Sequence, residues 1–145
     1  MSQVLYELPP NYEDICQAIP AVRKNKAIIF VYAPNIYSPA GIELRPDLKA
    51  HEEVHVTRQG DDPQAWWNKY LVDKDFRLRE ELVAYQVQYQ YMVEHYDRAK
   101  RRSILTSIAK DLSGLKHGAT ISIGDGESEV VIASPKKRGR PAKSV

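Results

Sequence analysis

The sequence predicts a mostly helical α+β fold with a small sheet, and three observations carry that expectation. Two prolines, Pro46 and Pro63, stand where helices start, since the first helical position tolerates a residue without an N–H. From Phe76 onward, apolar residues recur at helical spacing. Only two short stretches, residues 27–33 (AIIFVYA) and 121–133, are dense in β-branched residues. A chain of 145 residues, 43% hydrophobic and 28% charged, suits one domain around a single core.

Taken in order, residues 11–22 read as a short helix with Asn11 as N-cap and Ile15, Ile19 and Val22 on one face, limited by Pro20. Residues 27–33 read as a buried strand. The following PNIYSPAG, with two prolines and a glycine, is expected to bend away from a sheet or run along its edge. Pro46 opens a helix through PDLKAHEEVHVTRQ that stops at Gly60, and Asp62-Pro63 opens a second, QAWWNKYLV. A longer helix is predicted from residue 76 to about 98, with Phe76, Val83, Val87 and Tyr91 as its apolar stripe and Ala84 beside them. Ser103 begins a further helix presenting Ile104, Leu105, Ile108 and Leu112, with Gly114 beyond its end. Residues 121–123 and 130–133 form a hairpin around a GDGES turn, and no internal repeat is present.

The net charge of +2 hides an asymmetry. Residues 134–145 carry Lys136, Lys137, Arg138, Arg140 and Lys143 with no acid, so residues 1–133 hold 16 basic against 19 acidic residues. The expected organisation is a mildly acidic folded domain, 1–133, and a disordered basic tail, 134–145. The longest apolar run is far short of the roughly 20 residues a spanning helix needs, which excludes a membrane-spanning reading. The N-terminus lacks the pattern of a secretory signal, so a cytoplasmic location is expected. A lone cysteine, Cys16, cannot make an internal disulfide or a Cys-based metal site, leaving His and carboxylates as metal donors.

Chemistry concentrates at His51-Glu52-Glu53-Val54-His55, an HExxH pattern within the predicted helix. Residues four apart share a helical face, so both imidazoles can reach one zinc ion. Glu52 lies about 100° around the helix, off the metal but able to take a proton from water beside it. Two histidines leave a catalytic zinc one ligand short. Glu81 can complete the set, with 25 residues between it and His55, an interval that accommodates a short helix, a turn and entry to a second long helix. Its neighbour Glu80 competes, but Ala84 and Tyr85 share the face of Glu81, and Glu80 is expected on the solvent side near Arg77 or Arg79. Glu53 is expected to be solvated.

HExxH followed by a helical ExxA segment resembles the gluzincin zinc peptidases. The order AHEEVHVTRQG, WWNKYL, FRLREELVAYQ is similar to small minigluzincin-like proteins of phage and bacteria, over about residues 27–113. The resemblance implies a zincin-like domain in which the HExxH helix packs on a second helix carrying Glu81. It also implies a zinc cofactor, a peptide or protein substrate, and an edge strand near Ile36 and Tyr37 that pairs with an extended peptide. Phage origin would place the protein in the host cytoplasm. Where many members carry Asp four residues after the ligand Glu, this chain has Tyr85, whose phenol can accept an imidazole N–H or face substrate. Trp66 and Trp67 can line a groove or pack as one core and one covering residue. Tyr70, Tyr85 and Tyr89 can offer a phenol to a transition state or simply pack. His95 and His117 are expected at the surface.

The tail PKKRGRPAK resembles an AT-hook, which implies that Arg138-Gly139-Arg140-Pro141 enter the narrow minor groove of A·T-rich DNA. The leading expectation is a small zinc metallopeptidase with Glu52 as its catalytic residue. The alternative is a DNA-associated binding protein with a structural or vestigial zinc site.

Overall fold

A computed structural model describes residues 2–115, 120–123 and 130–133, with the backbone alone described after residue 110. It divides into two compact units, Met1–Tyr91 and Met92–Val145. The described chain is mostly helical, with a three-stranded sheet and a separate two-stranded hairpin. Among the described residues, no helix is long and apolar enough to cross a membrane.

In the first unit, β1 (Val4–Leu5) precedes α1 (Tyr12–Ala18). The single helix expected over 11–22 is two elements: α1 ends at Ala18, and Pro20 starts a 3-10 helix, Pro20–Lys24. A proline cannot continue the α-helical ladder but is favourable at a new helix start. Asn11 holds the N-cap position without making a side-chain cap bond. The strand expected over 27–33 is shorter, β2 (Phe30–Tyr32), and is followed by β3 (Asn35–Tyr37).

The sheet order is β1-β3-β2, with β3 parallel to β1 and antiparallel to β2. Ile36 and Tyr37, expected on an edge strand, are therefore central and buried. Strands lie on both sides of it: Ile36 N–H donates to the Gln3 carbonyl on one side, and Val31 stands opposite Ile36 in register on the other. The outer side of β2 is closed by side chains, since the Val31 carbonyl accepts from both Gln59 Nε2 (2.9 Å) and Trp67 Nε1 (2.8 Å).

Next come α2 (Pro46–Gln59), α3 (Pro63–Val72) and α4 (Lys74–His95). Gly60 ends α2 at φ 59°, a conformation that favours glycine. Asp62 caps α3 by accepting from Ala65 N–H at 3.0 Å, and Asp73 does the same for Phe76 N–H in α4. The core gathers Ile15, Cys16, Val22, Phe30, Tyr37, Trp66 and Trp67.

The α4 stripe differs from the expected one. Val87 is exposed, and the buried positions are Arg77, Glu80, Ala84, Gln88 and Met92, at helical spacing with three of the five polar or charged. Arg77 is buried because its guanidinium donates to the carbonyls of Tyr70 and Leu71 at the C-terminal end of α3.

The second unit contains α5 (Arg98–Leu115), which starts five residues before the expected Ser103 and continues through Gly114. Asp97 is the start signal that outweighs Ser103, accepting from Lys100 N–H at 2.9 Å. Ile104, Leu105 and Ile108 are buried as expected. The hairpin pairs β4 (Thr120–Ile123) with β5 (Val130–Ala133), antiparallel. Its turn, His117 and the tail 134–145 with Arg138, Gly139, Arg140 and Pro141 lie outside the described residues.

Candidate metal centre

The buried face of α2 reads Asp47, His51, His55 and Gln59, with Glu52 buried beside them. Every residue in that row is polar, and each four-residue step keeps it on one face. Burying such a row is tolerable only if its groups find partners, because an unsatisfied buried polar group costs roughly 1–3 kcal/mol. For most of the row the partners come from α4, and Gln59 is taken up by β2.

Glu81 stands opposite the two histidines. Its Oε1 lies 3.2 Å from His51 Nε2, and its Oε2 lies 3.4 Å from His55 Nε2. One donor atom from each residue lies within 4.8 Å of the others, a grouping able to hold a metal ion. A tetrahedral ion with bonds of about 2.1 Å has donors about 3.4 Å apart, and each imidazole approaches one of the two Glu81 oxygens at about that separation. Two imidazoles and a carboxylate are also the donor set of a catalytic zinc site that keeps a fourth position open.

The supports are as informative as the donors. His51 Nδ1 pairs with Gln88 Oε1 at 3.0 Å, and Gln88 Nε2 donates to Asp47 Oδ2 at 2.7 Å. Arg45 grips both carboxylate oxygens of Asp47, at 2.8 and 3.1 Å. Tyr70 Oη donates to Glu81 Oε2 at 2.7 Å. Tyr85 does pack on His51, with ring centroids 4.4 Å apart, but the imidazole Nδ1 bond goes to Gln88, seven residues after Glu81. Trp66 packs edge-on against His55 at 5.4 Å. His55 Nδ1 is buried without a hydrogen-bond partner.

Electrostatics separates the carboxylates. Burial pushes Glu52 up to about 7, with the Glu81 carboxylate adding to the rise and His51 opposing it. Burial also acts to raise Glu81, but His55 and His51 outweigh it and hold that carboxyl well below the usual 4.5. Burial and the neighbouring Glu81 charge keep the Tyr70 phenol protonated far beyond its ordinary range, as its role of donor requires.

Three expectations change here. Glu80 is not on the solvent side: it is 4% exposed, paired with Arg58 at 2.8 and 2.9 Å, and accepts from Trp66 Nε1 at 2.9 Å. Arg77 and Arg79, its expected neighbours, give way to Arg58, one turn beyond His55 on α2. Glu53 is half-buried and accepts from the Ser2 hydroxyl at 2.8 Å. Trp66 and Trp67 are both core residues. His95 is exposed, as expected.

The structure thus brings His51, Glu52, His55, Glu81 and Tyr85 together. Gln88, Asp47 and Arg45 were not singled out in the sequence. For Asp47 and Gln88 the signal was the four-residue spacing, Asp47-His51-His55-Gln59 on one helix and Glu80-Ala84-Gln88 on the other; Arg45, outside that spacing, carried none. No family model, curated protein or solved structure matches the chain.

Proposed function

We propose that this chain is a small zinc-dependent peptidase with a zincin-like, gluzincin-type site, in which His51, His55 and Glu81 hold the metal and Glu52 is the general base. One observation supports this most: two histidines and a glutamate from separate helices converge with their donor atoms within 4.8 Å, with a buried Glu52 beside them. Zinc bound there would supply the charge that makes a nearby water acidic enough to lose a proton near neutral pH.

Glu52 then takes the proton at its carboxylate and can return it to the departing amine. A carboxyl whose affinity for protons lies near 7 is suited to both steps, while a cation held by its neighbours draws it toward the ionised, accepting form. Glu81 remains ionised, as a ligand must. Tyr70 fixes one Glu81 oxygen, and the rings of Trp66 and Tyr85 wall the two imidazoles. A purely structural metal site has no use for Glu52, and burying an idle carboxylate is costly. The alternative, a DNA-associated protein with a structural or vestigial zinc site, draws on the AT-hook-like tail.

The test is Glu52→Gln, assayed on a mixed library of short peptides with zinc content measured in parallel. The variant should retain zinc and lose cleavage by about 10²–10⁴-fold, because an amide cannot take the proton. Equal cleavage by parent and variant would refute the mechanism.

A further inference from the structure

Gln88 sits between a ligand histidine and a buried carboxylate, and the chemistry of its amide decides which way round it must stand. Asp47 is fully buried, and its two oxygens are held by the Arg45 guanidinium. An ionised carboxylate only accepts hydrogen bonds, so the Gln88 group facing Asp47 Oδ2 at 2.7 Å has to be the NH2. The Gln88 oxygen is thereby turned toward His51 Nδ1, 3.0 Å away, and an amide oxygen only accepts. His51 must then carry a proton on Nδ1, which leaves Nε2, facing the position shared with His55 and Glu81, as the nitrogen whose lone pair a metal would take.

We infer that Gln88, oriented by Asp47, is the positioning residue that sets the His51 tautomer for metal binding. It does so from one helical turn beyond Tyr85. The inference rests on the metal-site reading above but not on peptide cleavage. The relay spans both helices of the site: Asp47 lies one turn before His51 on α2, and Gln88 lies on the buried face of α4.

The relay makes a prediction that simple packing does not. In Asp47→Asn, residue 47 offers both an acceptor and a donor, so the Gln88 amide can turn over and present its NH2 to His51 Nδ1. That orientation needs an acceptor Nδ1 and so places the proton on Nε2, where metal should bind. Zinc affinity should fall by about 10–100-fold, the usual effect of losing a partner to a ligand histidine.

Adding Gln88→Glu restores the logic with the polarities exchanged. The amide introduced at position 47 donates to the carboxylate introduced at position 88, which accepts from His51 Nδ1–H. The double variant Asp47→Asn/Gln88→Glu should therefore regain zinc affinity to within a few-fold of the parent, although it carries one more change.

The experiment is a zinc competition titration against a chromophoric chelator for parent, single and double variants, with cobalt-loaded absorption spectra recorded alongside. Expected are a weakened single variant with an altered cobalt spectrum and a double variant that recovers both. An unweakened single variant, or a double variant as weak as the single, overturns the relay while leaving the peptidase reading standing. A parent that binds no zinc overturns both. Zinc binding without any peptide cleavage removes the peptidase reading alone.

Discussion

Replacing Glu80 by alanine should destabilise the protein while leaving zinc binding close to that of the parent, and the structure sets the size of the stability effect. Glu80 Oε1 is the acceptor for the buried Trp66 indole N–H, at 2.9 Å. Truncation leaves that donor unpaired in the core, at about 1–3 kcal/mol. The pair with Arg58 adds less, at most about 1 kcal/mol, because the Arg58 side chain is 44% exposed and regains water. The loss is therefore about 1–4 kcal/mol. With a urea dependence of about 2 kcal/mol per molar, the unfolding midpoint should fall by about 0.5–2 M.

Fluorescence of Trp66 and Trp67, the chain's two tryptophans, reports that transition directly. The pH dependence carries a sign. Burial acts to raise the Glu80 carboxyl, but its bonds with Arg58 and Trp66 win and hold it below 4.5. The folded state thus binds the proton less readily than the unfolded one. The contribution is full above about pH 4.5 and disappears as pH falls through the lower, folded value. The stability gap between parent and Glu80→Gln should close correspondingly in acid. A Glu80→Ala midpoint equal to that of the parent would refute this account of why the residue is buried.

Two other outcomes follow from the same geometry and from the tail. Glu81→Ala should weaken zinc binding by orders of magnitude in a competition titration while Glu80→Ala changes it by less than about tenfold, since only Glu81 faces both imidazoles. The full chain should prefer A·T-rich over G·C-rich duplex in competition at physiological salt, and Arg138→Ala with Arg140→Ala should abolish the preference while the lysines keep a salt-sensitive background. Equal affinity of the parent for both duplexes would reject minor-groove reading.

The site was legible where chemistry imposes spacing. His51, Glu52 and His55 are fixed by the helical repeat, and Glu81 followed from the need for a third donor on a neighbouring helix. Helix starts at Pro46 and Asp62-Pro63 were equally visible, because caps and prolines act locally. The α4 face was misread because burial there follows polar partnership. Arg77, Glu80 and Gln88 look solvent-facing by composition, yet each is buried with a partner on another element or at a helix end. Val87, apolar, is left outside.

The centre of the sheet was hidden for a different reason. Asn35–Tyr37 lies between prolines and pairs with a two-residue strand, Val4–Leu5, that no periodicity can reveal. Tyr85 stands where the gluzincin resemblance implies Asp, whereas the imidazole partner stands one turn later, at Gln88.

The central claim is that His51, His55 and Glu81 form a metal centre, and elemental analysis of the purified chain tests it most directly. The account predicts one zinc per chain, and almost none after His51→Ala with His55→Ala, since a single carboxylate cannot hold the ion. Stoichiometric zinc persisting in that double variant, or a parent that takes up none when zinc is supplied, would contradict it.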